Sequence, residues 1–175
     1  MSMQAENGTG AQGSDLYFSV DIETDGPIPG PFSMLSFALV PAGSMREGRF
    51  VRPASQTTQA EGLYLELQPI SEAFEPEALA VNGLDRARLR REGLAPGEAM
   101  KKASEWIAAR CSEADGETKG EVEPVLVAYP LGFDWSFLYW YFIHFSGASP
   151  FKHSRAFDMK TAFAVRGRQP IAKAG

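Results

Sequence analysis

Residues 16–31 read LYFSVDIETDGPIPGP, an apolar run that ends in two acids, Asp21 and Glu23, and leaves through three prolines and two glycines. The β-branched and aromatic content of LYFSVDI predicts a strand. Side chains at i and i+2 of a strand project from one face, so Asp21 and Glu23 point together near its C-terminal end. Adjacent carboxylates repel, and one tends to keep a proton unless a cation sits between them. Hard divalent ions such as Mg²⁺ take oxygen ligands of this kind. A strand end whose acids merely face water is the plainer alternative. The apolar lead-in and the stiff Gly/Pro exit weigh for a site.

Outward from that stretch, FSMLSFALVPAG (32–43) predicts a second strand ending at Pro41, and GRFVRP (48–53) and LYLELQP (63–69) predict two short ones. APGEAMKKASEWIAARCSE (95–113) predicts a helix, with Pro96 in its first turn and Met100, Ala103, Ile107 and Cys111 at helical spacing. EPVLVAYP (123–130) is a short apolar strand. GFDWSFLYWYFIHF (132–145) is apolar nearly all round, the pattern of a buried helix. A last helix or strand covers FDMKTAFAV (157–165). Strands first, then a strand–helix pair, predict a mixed α/β sheet domain.

With 44% hydrophobic and 22% charged residues over 175 positions, the chain has soluble composition and the length for one domain with a core. No run of about 18 uncharged apolar residues exists, so no membrane span is expected. MSMQAENGTGAQGSD (1–15) lacks the basic start and apolar centre of a secretory signal, and reads as a disordered leader before a domain over 16–175. The single cysteine, Cys111, excludes an internal disulfide and a zinc site built from several cysteines, and suits a reducing cytoplasm. A net charge of −5 excludes a protein that grips nucleic acid by being basic overall. Basic residues are concentrated in RARLRR (86–91) and after Phe151, where solvated faces are the plain expectation.

Asp134 adds a third acid. On a helix beginning near Gly132 it shares a stripe with Leu138 and Phe142, and a carboxylate among core positions needs a partner. A helix-start acid favoured by the dipole and by capping is the alternative.

VDIETDG, then VNGLDRARLRREG ahead of a helix, then VLVAYPLGFDWSFL resemble, in that order, the motifs of the DEDD-type 3′–5′ exonucleases. That family includes proofreading exonucleases and ribonuclease T, and the similarity runs from about residue 16 to residue 165. The resemblance implies a ribonuclease H-like mixed β-sheet flanked by helices. It implies that Asp21 and Glu23 are the first motif's metal-binding acids and Asp134 the second motif's aspartate. It also implies two ions, Mg²⁺ or Mn²⁺, one activating water for attack on the last phosphodiester and the other stabilising the leaving 3′ oxygen. Thr24 and Asp25 fall where the family's main chain meets the terminal nucleotide of the substrate, a single-stranded DNA or RNA 3′ end. The Pro/Gly turn would hold that strand exit rigid beside the substrate.

Two departures from the family pattern stand out. Pro130 occupies a place where the second motif often carries asparagine. The family also closes with a helix bearing H-x4-D or Y-x3-D, which supplies the general base and a fourth acid. His153 and Asp158 form a literal H-x4-D, but only 24 residues after Asp134 (158 − 134). The resemblance places AFDMKTAF ahead of that helix. His153 and Asp158 are therefore expected to be a surface histidine and a helix cap, and the final motif to be missing from these 175 residues. A module of the same fold that binds nucleic-acid ends or nucleotides without hydrolysis is the alternative function. An aspartate-nucleophile phosphatase is a third, since VDIETDG resembles its D-x-D-x-T loop, with Glu23 in place of the second aspartate. Cys111 and His144 lie on apolar helical segments and are expected in the core, not as a thiol pair. Most of residues 139–142 are likewise expected in the core rather than as a base-stacking platform.

Overall fold

The computed structural model describes residues 14–46, 48–52, 62–118 and 121–167. In chain order these form β1 (Ser14–Thr24), β2 (Met34–Arg46), β3 (Arg49–Val51), β4 (Leu63–Glu66), α1 (Pro76–Asn82), α2 (Arg86–Glu92), α3 (Pro96–Thr118), β5 (Val122–Ala128), α4 (Leu131–Ser146), β6 (Ala156–Asp158) and α5 (Met159–Gly167). Residues 1–13 of the expected leader, and the stretch from 168 onward, lie outside the described residues. Ser14 and Asp15, assigned to the leader by sequence, are instead the first residues of β1, held there by pairing with Val122 and Glu123.

The sheet runs β3–β2–β1–β5–β6, with β4 also paired to β2. β1 is antiparallel to β2 and parallel to β5, and β5 is parallel to β6. The mixed α/β expectation holds. β1 alternates as its sequence demands, burying Leu16, Phe18, Val20 and Ile22 and exposing Ser19 and Asp21. The buried set packs with Met100, Ala103 and Ile107 of α3 and with Phe137, Leu138, Tyr141 and Phe142 of α4. Each of the larger side chains contributes roughly 1.5–3 kcal/mol by leaving water. Both helices are thereby fixed to the strand that carries the acid pair.

Three elements differ from the sequence reading. Sequence ends β2 at Pro41, but the strand runs on to Arg46. β4 pairs with residues 36–39 and β3 with residues 44–46, so Pro41 stands between two partners and removes a bond from neither ladder. A register shift opposite Tyr17 and Phe18 takes up the irregularity.

α4 is not buried all round. Phe133 and Ile143 are 42% and 43% exposed, because α3 and the sheet cover only the face of Phe137, Leu138, Tyr141 and Phe142. On the outer side the rings shield one another: Trp135 stacks on Tyr139 at 4.7 Å and Trp140 on His144 at 4.4 Å.

The stretch before α3 forms two short helices. Pro76 opens α1, and Gly83, at φ 68°, closes it. Asp85 caps α2 by accepting the Arg88 amide at 3.0 Å. FDMKTAFAV divides between β6 and α5.

Candidate active site

Because β1 and β5 are parallel, their C-terminal ends lie at one edge of the sheet, the edge where α/β folds place ligands. Pairing between them stops at Ser19 and Val127, leaving the last residues of β1 without β5 alongside. The chain leaves β5 through Tyr129 and Pro130, joined by a cis peptide, and enters α4. That short turn delivers Asp134, in the first turn of α4, to the backbone of Ile22, between Asp21 and Glu23 in sequence.

Electrostatics registers the meeting of the three acids. Asp134 is 8% exposed. Its carboxyl is pushed up to about 6, first by burial and then by the charges of Asp21 and Glu23, against hydrogen bonding from the backbone of Asp134 itself and of Ile22. Glu23 is also raised, by burial and then by Asp21. Among the described residues, no three acid, histidine or cysteine side chains are yet gathered closely enough to hold a metal ion. Asp21, Glu23 and Asp134 are thus neighbours rather than a set already within reach of one ion. Their donors are all hard oxygens, which is the chemistry Mg²⁺ or Mn²⁺ requires.

Thr24 and Asp25, expected beside the terminal nucleotide, are both hydrogen-bonded within the protein. The Thr24 hydroxyl donates to Gly26 O at 2.9 Å, and Thr24 O accepts from Asn82 Nδ2 at 2.9 Å. Asp25 is wholly buried. Its amide donates to Ser33 O at 2.9 Å, its carbonyl accepts the Glu75 amide at 2.8 Å, and its carboxylate is shared by the Ser33 amide and Arg86. These contacts fasten the exit of β1.

Of the arginines of α2, Arg90 and Arg91 are exposed as a solvated face would be, whereas Arg86 and Arg88 are half-buried. Arg86 binds Asp25, Arg88 forks onto Glu66 at 2.7 and 2.8 Å, and Arg90 meets Glu72 at 2.8 Å. Sequence spacing could not reveal these partners. The Gly/Pro turn is closed tightly at Gly26. A Cβ on Gly26 would fall 2.1 Å from Cδ1 of Phe32, so the ring closes the turn onto a glycine.

His153 is exposed. Asp158 caps α5, its Oδ1 accepting the Lys160 and Thr161 amides at 2.9 and 3.3 Å. Both placements agree with the sequence reading. Cys111 is partly buried and its thiol is pushed up to about 11 by burial, whereas His144 is exposed, contrary to the core placement expected of it. What the sequence reading missed at this edge is apolar: Ile28, Tyr129 and Phe133 are all exposed beside the acids' elements. Phe133, adjacent to Asp134, was legible only as part of a hydrophobic run.

No family model matches the chain. The chain is 36% identical over 149 residues to the 3′–5′ DNA exonuclease Cap18 of Escherichia coli, across 85% of this chain and 68% of that protein. Its fold resembles that of product-bound exonuclease I, with a TM-score of 0.58 and 12% identity over 88% of this chain. It also resembles Escherichia coli exonuclease I in complex with a dT13 oligonucleotide, with a TM-score of 0.57 and 14% identity over 89% of this chain. The chain spans only 31% of each of those structures' chains, so they speak for the ribonuclease H-like fold alone. No described helix is long and apolar enough to cross a membrane. On the strength of the bacterial relative and of the ordered motifs, the chain belongs to the DEDD-type 3′–5′ exonucleases.

Proposed function

We infer that the protein removes nucleotides from the 3′ end of single-stranded DNA by hydrolysis, using two divalent ions, Mg²⁺ or Mn²⁺, at Asp21, Glu23 and Asp134. The observation that carries this reading is the Asp134 carboxyl, buried beside two other acids and pushed up to about 6. Such a cluster costs stability until a cation joins it. Bound ions would supply an activated water and the charge that steadies the leaving 3′ oxygen. The chain's own part is to hold three carboxylates at one sheet edge, on a strand and a helix start that share a core. Phe133, exposed next to Asp134, offers a ring on which the terminal base can stack. DNA is favoured as the polymer because the Escherichia coli relative is a DNA exonuclease by name.

Incubation of a 5′-labelled single strand with Mn²⁺ tests the reading. Stepwise shortening with release of nucleoside monophosphates is expected. Internal cuts, or products ending in 3′ phosphates, would overturn it.

One observation favours a second reading, end binding without hydrolysis. Asp158, the acid that the literal H-x4-D would offer as a fourth ligand, is spent on capping α5. A strand that binds in the presence of Mn²⁺ and keeps its length would decide for it.

A further inference from the structure

Asp134 and Tyr141 stand seven residues apart on the buried stripe of α4, two turns along the helix. Asp134 faces the backbone of β1 at Ile22. Tyr141 Oη accepts the Met34 amide at 2.7 Å, and Met34 pairs with Thr24, the last residue of β1. The preceding amide, that of Ser33, donates to Asp25 Oδ1 at 2.5 Å. Asp25 Oδ2 meets Arg86 of α2 at 2.9 Å, and Arg86 also donates to Ser71 O. The Ser33 hydroxyl oxygen accepts the Ile70 amide at 3.1 Å. Asp25, Ser33, Met34 and Tyr141 all have 0% exposure.

Two consecutive buried amides are thus met by side chains from the two elements that carry the acids, Asp25 from the exit of β1 and Tyr141 from α4. A buried amide without a partner is costly, so neither contact can slip without a penalty. A helix moves nearly as a body, and a one-residue slip turns a side chain by about 100°. Any shift at Tyr141 is therefore passed on to Asp134.

We propose that this buried hub registers the Asp134 helix against the strand bearing Asp21 and Glu23, which makes Tyr141, Asp25 and Arg86 positioning residues of the ion site. The proposal rests on the ion-binding reading above. None of the three residues would touch an ion. Their effect is on the spacing of those that do, and ions in a two-metal site stand only about 3.5–4 Å apart.

The test is Mn²⁺ affinity by calorimetry on the full chain, at a temperature where circular dichroism shows each variant folded. Tyr141→Phe removes the acceptor for the Met34 amide and keeps every acid. It should weaken Mn²⁺ by about tenfold or more, as loss of a ligand-orienting contact does. Ile107→Ala, a core change on α3, should lower the melting temperature and leave the affinity unchanged. Where Tyr141→Phe does not fold, the same comparison is read on Arg86→Lys, which keeps the charge and loses the fork. A folded Tyr141→Phe, or in its place Arg86→Lys, that binds Mn²⁺ like the unaltered protein overturns the proposal and leaves the ion site standing. An equal loss of affinity in Ile107→Ala overturns it too, by showing that general destabilisation suffices. If the unaltered protein binds no Mn²⁺, the ion-site reading falls and the proposal falls with it.

Discussion

Arg86 Nε lies 2.9 Å from Oδ2 of Asp25, a carboxylate closed off from solvent two residues beyond Glu23. The pair joins α2 to the exit of β1, and Arg86 also lies over the Phe74 ring, 5.3 Å from its centroid. Removing one member of a buried ion pair strands the other, which costs far more than the pair's net contribution. Asp25→Ala should therefore lower the unfolding free energy by about 3–5 kcal/mol, measured by urea denaturation. Arg90→Ala breaks a bridge to Glu72, whose side chain stands in water, and should leave the midpoint where it is. Equal midpoints for Asp25→Ala and the unaltered chain would mean that the ion pair fastens nothing.

Asp134 is retained against the interest of stability. Its carboxyl has an ordinary value of 3.8 and titrates at about 6 in the folded chain, so between those values the folded state holds the proton more tightly than the unfolded one. Stability owed to this group is therefore fully present below about pH 4 and is lost as pH rises through about 6. Asp134→Asn removes that decline. In the presence of a chelator the variant should be more stable than the parent at pH 7.5 by about 1–2 kcal/mol, less than the full linkage because water reaches this edge. The difference should vanish near pH 4. Added Mn²⁺ should then stabilise the parent and not the variant. A difference of the same size at both pH values would remove the titration argument.

The parts of this site written in local pattern could be read, and those written in distant contacts could not. Alternation along residues 16–22 is enough to bury one face of β1 and to put Asp21 and Glu23 on the other. The stripe of Asp134, Leu138 and Phe142 follows from helical spacing alone. Asp25 and Arg86, in contrast, are 61 positions apart, and nothing near either residue announces the other. Their pairing depends on where α2 docks. The outer face of α4 escapes sequence for a related reason: hydropathy records what a helix is made of, and the neighbours decide what is covered. Sequence ends β2 at Pro41 because the rule for proline concerns a ladder, and here β3 and β4 leave a gap in that ladder.

Phe133 packs on Phe137 at 5.3 Å and remains 42% exposed beside Asp134. A ring so placed can carry a base without touching the ions. Phe133→Ala should raise KM for single strands by about tenfold, the loss of one base stack being about 1–3 kcal/mol, and leave Mn²⁺ affinity unchanged. Phe133→Tyr, which keeps the ring, should recover most of the loss. Steady-state kinetics on labelled oligonucleotides checks both variants. A fall in kcat at constant KM would assign Phe133 to the chemistry rather than to binding.

Asp158 should prove a structural acid. It ends β6, which lies across β5 from β1, so two strand spacings, about 10 Å, separate it from the acid pair. Its carboxylate is already engaged. Oδ1 accepts the Lys160 amide at 2.9 Å and the Thr161 amide at 3.3 Å, and Oδ2 accepts the Thr161 hydroxyl at 3.1 Å. To serve an ion at Asp21 it would have to abandon the start of α5 and reach past β5. Asp158→Ala should cost about 0.5–2 kcal/mol, the loss of a helix cap, and Asp158→Ser should restore part of that. His153→Ala should change neither stability nor ion binding, because His153 stands exposed in the turn before β6. Mn²⁺ titration of the three variants separates the possibilities: matching affinities leave Asp158 a cap alone, and a selective loss in Asp158→Ala would make this acid an ion ligand.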